Sequence, residues 1–289
     1  MATFQVRELQ PFGAEIQGLD LGGTLDAETV RALRDVFDAQ GVVIFADLNL
    51  AAEDQAYLTG LLAAKAVMTD RAAIVATTHT YSNYVTNRDK DGYAPFGELL
   101  FHCDAMWAPT PMDAISLYGF KVEPPSVPTR FASMAYGFDT LPVDLRARVE
   151  GLEALHVQGQ QRRGEHSESL VRIETETVNS SVKPVVFKHP RSGRSLLYVT
   201  QQQTAQIEGF EFDVSEALLD ELFAHLYRPE AVLEHDWRQG DLVIWDNVTL
   251  QHARGNVEME GPERTLRKVI APKQDMKVAK PKLVQAGAS

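Results

Sequence analysis

His102 and Asp104 stand one residue apart in Phe101-His102-Cys103-Asp104, and His252 lies far downstream, after Trp245-Asp246-Asn247-Val248-Thr249-Leu250-Gln251. Two imidazoles and one carboxylate are the donor set of a facial triad on a mononuclear iron(II), a metal that then keeps open positions. Side-chain direction repeats every two residues along a strand, so a short H-x-D can fill two adjacent metal positions from one segment. His252 would supply the third. Each residue alone has a plainer explanation: His102 as a hydrogen-bonded core histidine, and Asp246-Asn247 as a turn ahead of His252. A second candidate pair, His166 and Glu168, sits among Arg162, Arg163 and Glu165. That solvated context suits a rigid, screened metal site poorly.

Charge on a downstream strand adds a second function. In Glu263-Arg264-Thr265-Leu266-Arg267-Lys268-Val269-Ile270, alternation puts Arg264, Leu266 and Lys268 on one face and Thr265, Arg267 and Val269 on the other. The plain reading is outward-facing charge. An inward-facing arginine would need an anion, because a buried unpaired guanidinium is very costly.

The elements that must position these residues are mostly short strands. Strands are predicted over Leu99–Asp104, Ala114–Phe120, Thr129–Ala132, Pro184–Lys188, Leu196–Thr200, Leu242–Asp246 and Thr265–Ile270, with Val42–Phe45 as a short buried one. Proline and glycine punctuate them, as in Glu123-Pro124-Pro125-Ser126-Val127-Pro128. Helices are predicted over Ala27–Gln40, stopped by Gly41, over roughly Ala52–Ala66, and from Val143 to about Val149 behind Pro142. A fourth starts at Asp213, with Asp213 as cap and Glu216 closing a capping box, and ends at Pro229. Many short strands with few helices favour a double-sheet β architecture with helices outside one sheet. Thr80–Gly97 and Gln158–Ser181 read as long polar loops of the kind that serve as lids or binding loops.

Composition excludes several functions. The net charge of −12 and pI near 5.1 oppose a nucleic-acid or anionic-membrane partner. One cysteine, Cys103, forbids an internal disulfide and points to a reducing compartment. The first residues lack a secretory leader and no window is long enough to span a membrane, so a cytoplasmic protein is expected. Its expected partners are small molecules and copies of itself, as a homodimer or homotetramer.

These motifs occur together and in order. Pro11-Phe12-Gly13-Ala14-Glu15-Ile16-Gln17-Gly18-Leu19-Asp20-Leu21, Phe101–Asp104, Pro190-Arg191-Ser192-Gly193-Arg194, Gly240–Asn247 and Arg264–Val269 span most of the chain, from about Phe4 to Ala271. Through them the chain resembles the taurine dioxygenase family of iron(II)- and 2-oxoglutarate-dependent dioxygenases, which also includes enzymes acting on phenoxyalkanoate herbicides. The resemblance implies a double-stranded β-helix (a cupin-like jelly roll), mainly β with flanking helices. It implies one dioxygenase domain over residues 1–271, with 272–289 as a flexible tail.

It further implies His102, Asp104 and His252 as iron ligands, with no catalytic side chain beyond them. Arg264, twelve residues after His252, falls on the arginine that holds the distal carboxylate of 2-oxoglutarate, and Thr129 on the threonine that assists it. A guanidinium fork suits a carboxylate because it donates two parallel hydrogen bonds. The implied reaction uses 2-oxoglutarate and O2 as cosubstrates. It oxidises an unactivated C–H of a small organic substrate, most simply by hydroxylation, and releases succinate and CO2. A carboxylate at Asp104 argues against halogenation, since related halogenases carry a small residue there.

Two departures stand out. Cys103 replaces a hydroxyl residue and should point away from the metal. Lys268 stands where the taurine enzyme has an arginine for the substrate anion, so an anionic substrate held by Lys268 is expected, with Tyr81 and Gln202 as further contacts. The rival reading is a jelly-roll protein that binds zinc or manganese at the same triad without oxygenase activity. It would have no need of Arg264 and Thr129.

Overall fold

The computed structural model describes residues 4–91, 94–110, 112–159 and 179–273. The competing His166 and Glu168 pair, the end of the chain and most of the second loop lie outside the described residues. In chain order the strands are β1 (Gln5–Glu8), β2 (Ala14–Gln17), β3 (Val42–Phe45), β4 (His79–Thr86), β5 (Gly97–His102), β6 (Ala114–Val122), β7 (Thr129–Ser133) and β8 (Glu153–Val157). They continue as β9 (Ser180–Pro184), β10 (Val186–Lys188), β11 (Ser195–Leu197), β12 (Thr204–Ile207), β13 (Val232–His235), β14 (Leu242–Asp246), β15 (Leu250–Val257) and β16 (Arg264–Ala271). The helices are α1 (Ala27–Gln40), α2 (Ala52–Ala63), α3 (Arg71–Ala76), α4 (Met134–Asp139), α5 (Val143–Val149) and α6 (Phe212–Leu226).

A seven-stranded sheet in the order β1-β2-β3-β14-β6-β16-β4 faces a four-stranded sheet in the order β13-β7-β15-β5. This is the jelly roll that the strand pattern predicts. Alternation along the central strands divides the core in two. Val43, Phe45, Leu242 and Ile244 face outward onto α1 and α2, where Val30, Leu33, Phe37, Tyr57, Leu58, Leu61 and Leu62 meet them. Their neighbours Val42, Ile44, Val243 and Trp245 face the barrel interior, against Phe131 and Leu250 of the smaller sheet. Helices thus flank one sheet. A third cluster packs α6, through Leu218, Leu219, Leu222 and Leu226, over Val185, Leu197 and Val199.

Local signals place several boundaries. α1 starts under the Asp26 side chain and stops at Gly41, whose φ of 75° lies in the left-handed region and whose N–H closes onto Phe37. α2 ends at Ala63, earlier than predicted, because Ala64 turns extended and its carbonyl is taken by Arg34. α6 corrects the capping prediction. It begins at Phe212, its cap residue Glu211 makes no side-chain bond, and Asp213 sits inside the first turn, where its charge favours the helix dipole but cannot cap.

The first polar loop needs correction as well. His79–Thr86 is a strand, the outer edge of the large sheet, because backbone pairing to β16 overrides its polar composition. A Thr86–Thr265 hydroxyl contact at 2.7 Å marks the register. Tyr81 lies in this strand, and its side chain lies outside what the structure describes. No helix among the described residues is long and apolar enough to cross a membrane.

Candidate metal centre

β5 and β15 run antiparallel, with His102 directly opposite His252. Both rings point into the barrel, with centroids 4.2 Å apart. Asp104 does not continue the strand as predicted. β5 ends at His102, and Asp104 sits in the following turn, beside Ala105 with φ 57°. Its aim is set from a distance. Asn247 Oδ1 accepts the Asp104 N–H at 3.0 Å, and Asn247 Nδ2 donates to the Asp104 carbonyl at 2.9 Å. Asp246 holds that turn in place: its Oδ1 accepts from the Val248 and Thr249 N–H groups, and Arg191 donates to its Oδ2 at 3.0 Å. The Pro190–Arg194 and Gly240–Asn247 motifs are therefore one structural unit supporting the carboxylate.

Donor atoms of His102, Asp104 and His252 all lie within 4.8 Å of one another, and all three residues are sheltered. His102 Nε2 is 3.5 Å and His252 Nε2 3.9 Å from Asp104 Oδ1. His102 Nδ1 lies 2.7 Å from the Leu100 carbonyl, which fixes a proton on Nδ1 and frees the Nε2 lone pair. Burial, then the neighbouring His102, pushes the His252 pKa well down, so its ring is neutral, as a metal ligand must be. Burial opposes the Asp104 charge. The Lys268 ammonium outweighs that and holds the carboxyl well below its usual range. Two imidazole nitrogens and one carboxylate oxygen on a shared space fit a divalent ion of the iron type. Cys103 points the other way, with its thiol 3.5 Å from the Leu250 carbonyl among Met106, Met134 and Val248.

A cavity of about 430 Å³ opens over the three residues, within the range of small-molecule sites. Val85, Trp107, Met112, Leu117 and Ile270 give it an apolar wall. At one end Arg264 is 4 % exposed and donates Nε–H to the Val127 carbonyl at 3.0 Å and NH2 to the Thr129 hydroxyl at 3.1 Å. Burial, then the charge of Arg254, brings its pKa down to about 9, and no carboxylate among the described residues pairs with it. Trp237 Nε1 also donates to Thr129 Oγ, at 2.9 Å. With two donors on the oxygen, the proton of the Thr129 hydroxyl is left for an acceptor in the cavity. Arg267 faces outward to Gln55 and Leu50 beneath α2, which separates it from the site.

Lys268 does point inward, as alternation predicts, but its ammonium already has a partner, the Asp104 Oδ2 atom. Its burial therefore does not by itself call for a substrate anion. Asp104 presents Oδ1 to the histidines while Oδ2 is held by the lysine. Removing a cation next to a divalent ion in a sheltered site removes like-charge repulsion, so Lys268→Met is expected to tighten divalent-metal binding about tenfold or more. The metal-free variant should melt at lower temperature, because Asp104 loses its partner. Mn(II) titration followed by paramagnetic resonance, with melting curves, checks both. Weaker Mn(II) binding by a folded variant would show that the lysine acts by orienting the carboxylate and not through its charge.

Gln202 lines the cavity with its Oε1 buried and unpaired, whereas Gln203 spends its own Oε1 on the Cys103 N–H. Residues that carry the site without a legible sequence signal are Trp237 and, in its pinning role, Asn247. Arg254 is absent from the sequence reading, although its place two residues beyond His252, on the same strand face, was a signal for it.

The chain matches the family described as taurine catabolism dioxygenase TauD, TfdA family, over residues 5–270. It is 28% identical over 270 residues to the alpha-ketoglutarate-dependent 2,4-dichlorophenoxyacetate dioxygenase of Cupriavidus pinatubonensis, covering 89% of this chain and 93% of that one. It is 25% identical over 281 residues to pentalenolactone F synthase of Streptomyces arenae, covering 90% and 92%. Its fold superposes on the crystal structure of AAD-2 in complex with Mn(II) and N-oxalylglycine with a TM-score of 0.73, at 24% identity, covering 98% of this chain and 100% of that one.

Proposed function

The chain belongs to the TauD, TfdA family of dioxygenases, and we propose that its centre binds iron(II) through His102, Asp104 and His252 and 2-oxoglutarate through Arg264 and Thr129. The reaction class is that of an iron(II)- and 2-oxoglutarate-dependent dioxygenase, with succinate and CO2 as coproducts. The observation that carries the residue assignment is the convergence of the three side chains in one cavity with a buried arginine that pairs with no carboxylate among the described residues. A zinc or manganese protein without oxygenase chemistry would bury that guanidinium to no purpose. Residues 1–271 are read as one catalytic domain.

Bound iron(II) supplies the activation of O2 and of the 2-oxo acid. The chain's own residues position and screen. His102 and His252 offer Nε2, and Asp104 offers Oδ1 alone because Lys268 holds Oδ2. Arg264 and the Thr129 proton fix the far carboxylate of the cosubstrate, which turns its 2-oxo end toward the metal. The apolar wall keeps water away from the substrate side. No side chain here is required as acid or base.

The substrate we propose is a small organic anion with an apolar body, hydroxylated at an unactivated C–H. Lys268 lines the cavity beside Asp104 and brings positive charge to the substrate side, and the Gln202 amide faces the same space. The C. pinatubonensis relative acts on a compound of that kind, a chlorinated phenoxyacetate. The test is anaerobic addition of iron(II) and 2-oxoglutarate, which should produce a metal-to-ligand charge-transfer band, followed by a screen of small organic acids for succinate release. A protein that takes up iron(II) yet never develops the band would overturn the assignment.

A further inference from the structure

Arg254 is the second guanidinium in the cavity, and nothing in the chemistry above uses it. It is 4 % exposed, sits on β15 on the same face as His252, and lines the same cavity as Arg264. One NH2 group donates to the Phe96 carbonyl at 3.0 Å, while its Nε–H is buried with no acceptor. No carboxylate among the described residues lies within ion-pair distance of it. Two like charges line one screened pocket, and neither has an ion pair to a carboxylate among the described residues.

Register says which end of the cavity it serves. Arg254 lies directly opposite Thr129 across the β15–β7 ladder, and Thr129 is the residue whose hydroxyl Arg264 contacts. Its distance from His252 is two strand residues, about 6.8 Å. That is comparable to the reach of a five-carbon diacid with C–C bonds of about 1.5 Å. The register therefore puts Arg254 at the Thr129 end of the cavity, at a span from His252 that such a diacid can bridge.

We infer that Arg254 is a second carboxylate-binding residue of this pocket, sharing with Arg264 and Thr129 the distal carboxylate of the cosubstrate. One anion then relieves the mutual repulsion of both guanidiniums and gives the orphaned Nε–H its acceptor. Selection for a dicarboxylic over a monocarboxylic 2-oxo acid would rest on both arginines. The inference rests on the 2-oxoglutarate reading above. The plainer alternative is that Arg254 only braces the Phe96 turn through its hydrogen bond to that carbonyl.

Calorimetry on Mn(II)-loaded protein separates these. 2-Oxoglutarate is compared with 2-oxopentanoate, which has the same carbon chain without the distal carboxylate, in the parent, R254M, R254K and R264M. Metal affinity and melting temperature are measured alongside. The expected result is that R254M weakens 2-oxoglutarate about tenfold or more, the scale of a lost charge-assisted contact, and leaves 2-oxopentanoate unchanged. R254K should recover part of the loss. If R254M fails to fold, R254K carries the comparison and should still lose part of the preference for the dicarboxylate. An R254M protein that keeps 2-oxoglutarate affinity within about twofold, or loses both acids equally, overturns the inference. If R264M weakens 2-oxoglutarate while R254M does not, the cosubstrate reading stands and only the role of Arg254 fails. If neither variant weakens it, the anchor itself is misplaced.

Discussion

His252→Ala is expected to abolish stable iron(II) binding and, with it, the succinate-forming reaction, while leaving the metal-free protein folded. The structure favours this variant over a change at Asp104. His252 Nδ1 has no hydrogen-bond partner, so its removal unpairs nothing. Its side chain lines the open cavity, so the space it vacates is not sealed. Removing Asp104, by contrast, would take a carboxylate from the buried Lys268 ammonium and confound metal loss with instability. Outer-shell changes alone cost about 10- to 100-fold in metal affinity, so loss of one of three ligands should exceed that. Iron(II) or Mn(II) titration with a chromophoric chelator measures the change, and a melting curve checks the fold. Metal affinity within a few-fold of the parent would mean that the three side chains meet for a structural reason alone.

The second large effect is at Arg264. Arg264→Ala should weaken 2-oxoglutarate by about 30- to several thousand-fold, the equivalent of about 2–5 kcal/mol for a buried charged contact, with metal affinity little changed. Folding should survive, because no carboxylate among the described residues loses a partner and Trp237 continues to donate to Thr129. The charge-transfer band, titrated anaerobically with 2-oxoglutarate, reads the affinity directly. An unchanged titration would count against the whole carboxylate pocket, since Arg267, the other arginine of β16, is engaged with Gln55 and Leu50 outside the barrel. Arg264→Lys should fall between, since an ammonium keeps the charge but not the two-pronged donor geometry.

What the sequence determines by itself is the part governed by short-range rules. α1 is bounded by an aspartate cap and a left-handed glycine, both local devices, and its limits agree with the prediction. β14 and the inward face of β16 follow from alternation, which places Arg264, Leu266 and Lys268 together before any tertiary contact is known. Residue type and order were enough to nominate His102, Asp104 and His252. That they share one space depends on the antiparallel pairing of β5 with β15 and on the turn held by Asn247, between segments 143 residues apart.

Only the tertiary structure decides what the charged groups are paired with. The period-two rule turns Lys268 inward, but only the packed barrel puts it on Asp104. Trp237 reaches Thr129 across 108 residues of chain, and Asn87 accepts the Arg264 N–H across 177. The polar edge strand β4 forms because β16 offers it a backbone ladder, a partner no local pattern announces. Helix caps and strand alternation depend on neighbours in sequence. Desolvation, ion pairing and edge pairing depend on whichever distant groups share the same volume, and those exist only once the barrel has closed.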